Sequence, residues 1–131
     1  LKKSHELAKN SGYILGVKLV RGAYMEKERA KAAAQAYPSP IQATKANTDK
    51  DYNLALEYMV QNVNDIWFCA GSHNEQSAEV LMELMVEYKI DPTDKRIYFA
   101  QLLGMSDHIS FNLSDAGYNV AKYVPYGPVK E

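Results

Sequence analysis

With 131 residues, of which 47% are hydrophobic and 24% charged, the chain falls in the range of one globular domain and outside that of disordered polypeptides. Its 15 basic and 16 acidic residues leave a net charge of −1, which gives no electrostatic basis for a nucleic-acid partner. The single cysteine, Cys69, excludes an internal disulfide and makes an intracellular, reducing compartment the default expectation.

The opening LKKSHELAKN (1–10) is charged and helix-like, and Gly12 supplies a C-terminal stop. ILGVKLVRG (14–22) is rich in Val, Leu and Ile and apolar on both faces, which predicts a strand of a parallel sheet. MEKERAKAAAQA (25–36) is a strong helix former that ends before the breaker YPSP (37–40). The stretch to Asn47 is expected to be loop, with Thr48 and Asp49 capping a helix over 49–62. IWFCAG (66–71) is the second strand. Ser72 is placed to cap a helix over 73–89, whose Val80, Leu81, Leu84, Met85 and Tyr88 form one apolar stripe. After the IDPTDK turn comes RIYFAQ (96–101), the third strand. A shorter helix, capped by Ser106 and stopped by Gly117, leads to YNVAKYV (118–124), the fourth strand, halted by PYGP. No apolar run approaches the roughly 20 residues that span a bilayer.

The resulting order, α-βα-βα-βα-β, predicts an α/β fold with a parallel sheet and right-handed crossovers. Four such strands fit either an open sandwich or half of a (β/α)8 barrel, and periodicity does not decide between them. Both place ligands beyond the carboxyl ends of the strands. The clusters KLVRGAY (18–24), CAGSHN (69–74), QLLGM (101–105) and KYVPYG (122–127) fall there, each with a Gly.

Lys18, inside an apolar strand and of the same parity as Val20 and Tyr24, needs a counter-charge, a polar ligand or a route to water. The bland reading is a paired or snorkelling lysine; the functional one is a cation aimed into a site. Arg21, at the strand end, faces the same choice, and the two together suit a phosphate or an electron-rich ring. Ser72, His73 and Asn74 sit at a helix N-terminus, where anions are favoured, although plain capping explains them equally well. His73 is expected not to bind metal, because His5 and His108 are remote and no cluster has ligand spacing. Cys69 has no visible activating partner and reads as a small core residue rather than a nucleophile. Tyr24, Tyr123 and Tyr126 at strand ends can wall a small-molecule pocket. No G-x-G-x-x-G, P-loop or G-x-S-x-G pattern is present.

KLVRGAYMEKERA, the YP loop with KANTDKDY, CAGSHN, FAQLLGM and NVAKYVPYGPV occur in the order and spacing of the proline dehydrogenase family, which the chain resembles from about Gly16 onward. The style of KLVRGAYMEKERA is similar to the stand-alone and mitochondrial-like enzymes. The resemblance implies a distorted (β/α)8 barrel holding FAD at the strand carboxyl ends. Residues 1–131 are then a single-domain piece, strands five to eight, cut before the final helix.

By match, Lys18 takes the place of the basic residue beside flavin N5, where many bacterial members have Arg. Its charge would stabilise anionic reduced flavin, which makes it the catalytic candidate. Val20, Arg21, Gly22 and Ala23 would contact FAD, as would Ser72 and His73 in place of a Thr-His pair. Tyr24, Leu102 and Tyr123 match the proline pocket; Gln101 neighbours it and is assigned to the cofactor. The implied activity is oxidation of L-proline to Δ1-pyrroline-5-carboxylate, with hydride transfer to FAD and electrons passed to quinone at a membrane surface. The implied location is the cytoplasm with peripheral inner-membrane contact, or the mitochondrion in a eukaryote.

The missing initiator Met and the abrupt GPVKE end read as cuts. The arginine pair that clamps the proline carboxylate in the family is expected just beyond Glu131, and a substrate-facing Lys and Asp in the preceding half-barrel. The isolated chain is therefore expected to be inactive. Open barrel edges predict homo-oligomerisation or poor solubility. The rival classes are a non-catalytic α/β module binding a small anion near Ser72, and a barrel aldolase using Lys18 as a Schiff-base nucleophile.

Overall fold

The computed structural model describes residues 1–127. Its elements are α1 (Lys2–Ser11), β1 (Leu15–Leu19), α2 (Met25–Ala34), α3 (Lys45–Gln61), β2 (Ile66–Gly71), α4 (Glu75–Glu87), β3 (Ile97–Leu102), α5 (Asp107–Asp115) and β4 (Val120–Tyr123). The α1 stop is as expected: Gly12 takes φ 77°, a left-handed conformation that glycine adopts without strain.

The strands form one parallel sheet in chain order, β1-β2-β3-β4. Lys18 lies level with Cys69, Cys69 with Tyr98, and Leu102 with Tyr123. Strands laid down in chain order with crossovers of one hand put their helices on one side. That side carries the core: Leu56 and Met59 of α3, Leu81 and Met85 of α4, and Ile109 and Leu113 of α5 close over Ile66, Phe68, Ile97 and Phe99. The opposite face of the sheet is open, with Trp67 49%, Tyr98 37% and Tyr123 50% exposed. Helices on one face only exclude the open sandwich and leave the half-barrel. Strands β1 and β4 are each paired on one side, so both sheet edges persist among the described residues.

Several local expectations are corrected. Strand β1 stops at Leu19 rather than running to Gly22, because the chain turns at Gly22, φ 75°. Helix α3 begins at Lys45, not 49, and its cap is Thr44, whose Oγ1 accepts from Asn47 N–H at 3.2 Å. Thr48 instead lies inside the helix and donates its hydroxyl to Thr44 O at 3.3 Å. Helix α4 starts at Glu75 with Asn74 as its cap, so Ser72 is free for another partner. Ser106 precedes α5 at φ 52° and makes no capping bond. Of the α4 stripe, Leu81 and Met85 are buried and Val80 and Leu84 half-buried, but Tyr88 is exposed and receives a hydrogen bond from Gln61 at 3.0 Å. Cys69 lies on the open face beside Lys18 and not in the helix-packed core. Pro128, which closes the PYGP breaker, and residues 129–131 lie outside the described residues.

Two outcomes follow. A Cβ at Gly71 would lie 3.0 Å from Val20 Cγ1 and 3.3 Å from Leu19 O, where backbone cannot yield. Gly71→Ala is therefore expected to destabilise by about 1–3 kcal/mol in urea denaturation. The second outcome concerns acid. Asp49, Asp91 and Asp94 all sit below the ordinary 3.8, held down chiefly by hydrogen bonds from Lys45, Thr93 and Arg96 respectively. A depressed folded pKa means stability that is complete above 3.8 and lost as pH falls through the folded value. Circular dichroism over an acid titration should show melting midpoints that are flat above that point and fall below it.

Candidate functional site

At the carboxyl ends of all four strands lies a cavity of roughly 640 Å³. Lys18 of β1, Gly71 of β2, Gln101 and Leu102 of β3 and Tyr123 of β4 contribute to it, together with Val20, Ala23, Tyr24, Ser72 and His73 from the connecting turns. The structure thus brings together the expected site residues except Gly22, which makes the turn behind Ala23, and Tyr126, which is fully exposed and does not wall the cavity. Three cations, Lys18, Arg21 and Lys45, line the cavity, and among the described residues no carboxylate does.

Strand alternation turns Lys18 onto the open face, where its Nζ stands 4.1 Å from the centroid of the Tyr123 ring. Lys18 is exposed, so it has the route to water that the bland reading requires, and it adds the Tyr123 ring as a partner. Cys69, level with Lys18, has its thiol pKa raised by burial, an effect Lys18 opposes, which leaves it a poor nucleophile.

Arg21 points inward instead of across the mouth. Its guanidinium donates to Asp49 on α3, to Ser72 Oγ at 3.2 Å and to Ser77 Oγ at 3.4 Å, with the Tyr52 ring 5.1 Å away. Tyr52 is buried, its hydroxyl donates to Gly71 O at 3.3 Å, and burial pushes its pKa up to about 12. Asp49 also accepts from Lys45 Nζ at 3.0 Å.

Ser72 Oγ accepts from Asn74 N–H at 3.1 Å as well as from Arg21, so its hydroxyl braces the turn rather than capping the helix. His73 Nε2 accepts from Leu102 N–H at 3.5 Å, so its Nδ1–H donates to Ser106 Oγ at 2.7 Å. Gln101 lines the cavity but its side chain is only 3% exposed and turned to the helix layer. Its amide donates to Ser72 O at 3.3 Å and accepts from Ser110 Oγ at 2.8 Å, which makes it a strut beneath the Ser72 turn. Asn74→Ala, which removes the bond from Ser77 N–H at 3.0 Å, is expected to cost about 1 kcal/mol of stability in urea denaturation.

Sequence reasoning missed Lys45, gave Asp49 only a capping role, and placed Asn74 at the helix N-terminus without making it the cap. Asn74 was legible, since Asn at the strand–helix junction is as good a cap as Ser. Lys45 was hidden by placing it in a loop; Thr44 followed three residues later by Asn47 was the available signal for the earlier helix start.

Comparison with known proteins agrees with this geometry. The proline dehydrogenase family model matches residues 1–131. The chain is 46% identical over 129 residues to human mitochondrial proline dehydrogenase 1, covering 96% of this chain and 22% of that protein. It is 41% identical over 135 residues to human hydroxyproline dehydrogenase, covering 100% of this chain and 29% of that protein. Among solved structures, proline utilization A from Bdellovibrio bacteriovorus superposes with a TM-score of 0.89 at 30% identity, over 98% of this chain and 13% of that one. The chain therefore spans about a fifth to a third of the curated relatives' length, folds as part of a (β/α)8 barrel, and belongs to the proline dehydrogenase family.

Proposed function

We propose that this chain forms the carboxyl half of the catalytic barrel of an FAD-dependent enzyme that oxidises L-proline to Δ1-pyrroline-5-carboxylate. The observation that carries the reading is the Lys18–Tyr123 pair at 4.1 Å in a strand-end cavity lined by three cations and, among the described residues, no carboxylate. This donor set fits FAD. Arg21 and Lys45 suit a pyrophosphate, α4 opens at the cavity with its positive end, and Lys18 stands over the Tyr123 ring.

When bound, FAD would supply the hydride acceptor and the redox link to a quinone at a membrane surface. The chain's own residues supply position and charge. Lys18 holds a fixed cation where negative charge develops; such preorganised charge acts without reorganisation cost. Tyr123, Tyr24 and Leu102 wall the space beside it and exclude water from the substrate's ring. Val20, Ala23, Ser72 and His73 line the cofactor's side, and the Gln101 strut and the Ser106 hydroxyl hold the Ser72–His73 turn in place. The whole protein works in the cytoplasm against the inner membrane, or in the mitochondrion of a eukaryote. No helix among the described residues is long and apolar enough to cross a membrane.

The test is an anaerobic absorption spectrum of the full-length protein before and after L-proline. A flavin spectrum that bleaches supports the reading; a protein that neither carries nor binds FAD removes it. The 41% identity to hydroxyproline dehydrogenase favours 4-hydroxy-L-proline as a second substrate to be run in parallel, and the faster bleaching identifies the preferred one. The 131-residue chain by itself is expected to show no proline:acceptor turnover in a dye-reduction assay. Nothing in the cavity favours the anion-binding module or the aldolase over this reading.

A further inference from the structure

We propose that Asp49 is a positioning residue for the phosphate end of the cofactor, holding Arg21 and Lys45 together as a two-cation clamp on the cavity wall. The inference rests on the flavin reading of the site.

Asp49 lies one turn into α3, four residues after Lys45, and is not among the residues that line the cavity. One carboxylate oxygen accepts from Arg21, and the other accepts from Lys45 at 3.0 Å. Both cations line the cavity, and they come from different elements, the β1–α2 turn and α3, so nothing else among their hydrogen bonds joins them. Without Asp49 the two behave differently. The Lys45 side chain is 79% exposed and unrestrained except by this contact, so its four-carbon stem would sample many rotamers. The Arg21 side chain is only 14% exposed and would lose its one counter-charge while keeping the Ser72 and Ser77 hydroxyls. With only those hydroxyls and the Tyr52 ring as partners, a guanidinium that far from water carries an unpaired buried charge and is driven to move toward solvent.

A carboxylate beside two cations also opposes anion binding, because it reduces their combined charge from +2 to +1. Positioning outweighs this subtraction for two reasons. Each cation keeps donors to spare after meeting Asp49, out of five N–H on an arginine and three on a lysine. The ordering of a long exposed lysine, costly at the moment of binding, is already done in the unbound protein. The carboxylate remains ionised throughout the working pH range, since the Lys45 hydrogen bond holds its pKa down.

The experiment is a fluorescence titration of the deflavinated full-length protein with FAD and, in parallel, with riboflavin, which lacks the phosphates. Asp49→Asn keeps the shape and removes the charge. It is expected to weaken FAD binding by about tenfold or more, while riboflavin binding stays unchanged. Asp49→Glu is expected to recover most of the loss. Lys45→Met, an exposed substitution that does not threaten the fold, is expected to lower FAD affinity by a smaller factor in the same direction. Tighter or unchanged FAD binding by Asp49→Asn overturns the proposal and makes the carboxylate a competitor of the anion. Equal weakening for FAD and riboflavin also overturns it and assigns Asp49 to the fold alone. If wild type itself fails to bind FAD, the flavin reading falls and the proposal with it.

Discussion

Replacing Lys18 by Met in the full-length protein is expected to slow reduction of bound flavin by L-proline by about 10²–10³-fold while leaving FAD affinity nearly unchanged. Met matches the length and flexibility of the lysine stem, so it removes the charge without opening a hole. That charge is unusual in its setting. Its neighbour is the face of Tyr123 at 4.1 Å, and no carboxylate among the described residues lines the cavity to neutralise it. A cation over an aromatic ring keeps most of its field available to whatever enters from the open side. Stopped-flow spectroscopy under anaerobic conditions reads the reductive step alone. Lys18→Arg should retain most of the rate, because a cation is preserved at the same strand position. If Lys18→Met reduces flavin as fast as wild type, Lys18 is a structural lysine and the catalytic assignment fails.

Leu56→Ala is expected to be the most damaging single truncation in the core, lowering stability by about 2–5 kcal/mol. Leu56 is 0% exposed and sits where α3 crosses β2 and meets α4, in the same buried cluster as Ile66, Leu81 and Met85. A loss of that size is a large part of the roughly 5–15 kcal/mol that separates folded from unfolded domains. The site should suffer with it. One turn earlier on the same helix, Tyr52 is bonded to Gly71 O, and Asp49 and Lys45 lie further toward the mouth. Urea denaturation measures the first effect, and loss of bound FAD on mild warming measures the second. A variant with wild-type stability would show that the α3–β2 contact is not the anchor of the fold. Leu54→Ala on the same helix, 52% exposed, provides the control and should change stability little.

How much of this was legible beforehand depends on the range of the forces involved. Residues 66–71 read as a strand and are one, because alternation and β-branched or aromatic content act within the segment itself. The start of α3 was misread because two threonines compete for the cap, and only the bond from Asn47 N–H to Thr44 Oγ1 decides between them. Gln101 was expected to face the cofactor; strand parity carries it to the other side of the sheet from Leu102, into contact with Ser110. Its burial is a tertiary outcome, since a glutamine is buried only where both ends of its amide find partners.

By itself the sequence determined the kind and order of the elements, the parallel sheet they imply, and the four strand-end clusters where a site would form. These follow from side-chain periodicity and from turn residues, which are local properties of the chain. The tertiary structure alone decided that the helices cover one face, that Lys18 meets Tyr123, and that Arg21 turns inward to Asp49, Ser72 and Ser77. Arg21 reaches across 28, 51 and 56 residues of sequence to make those three bonds. Contacts at such separations depend on how the whole sheet is laid down, and no short window of sequence contains that information.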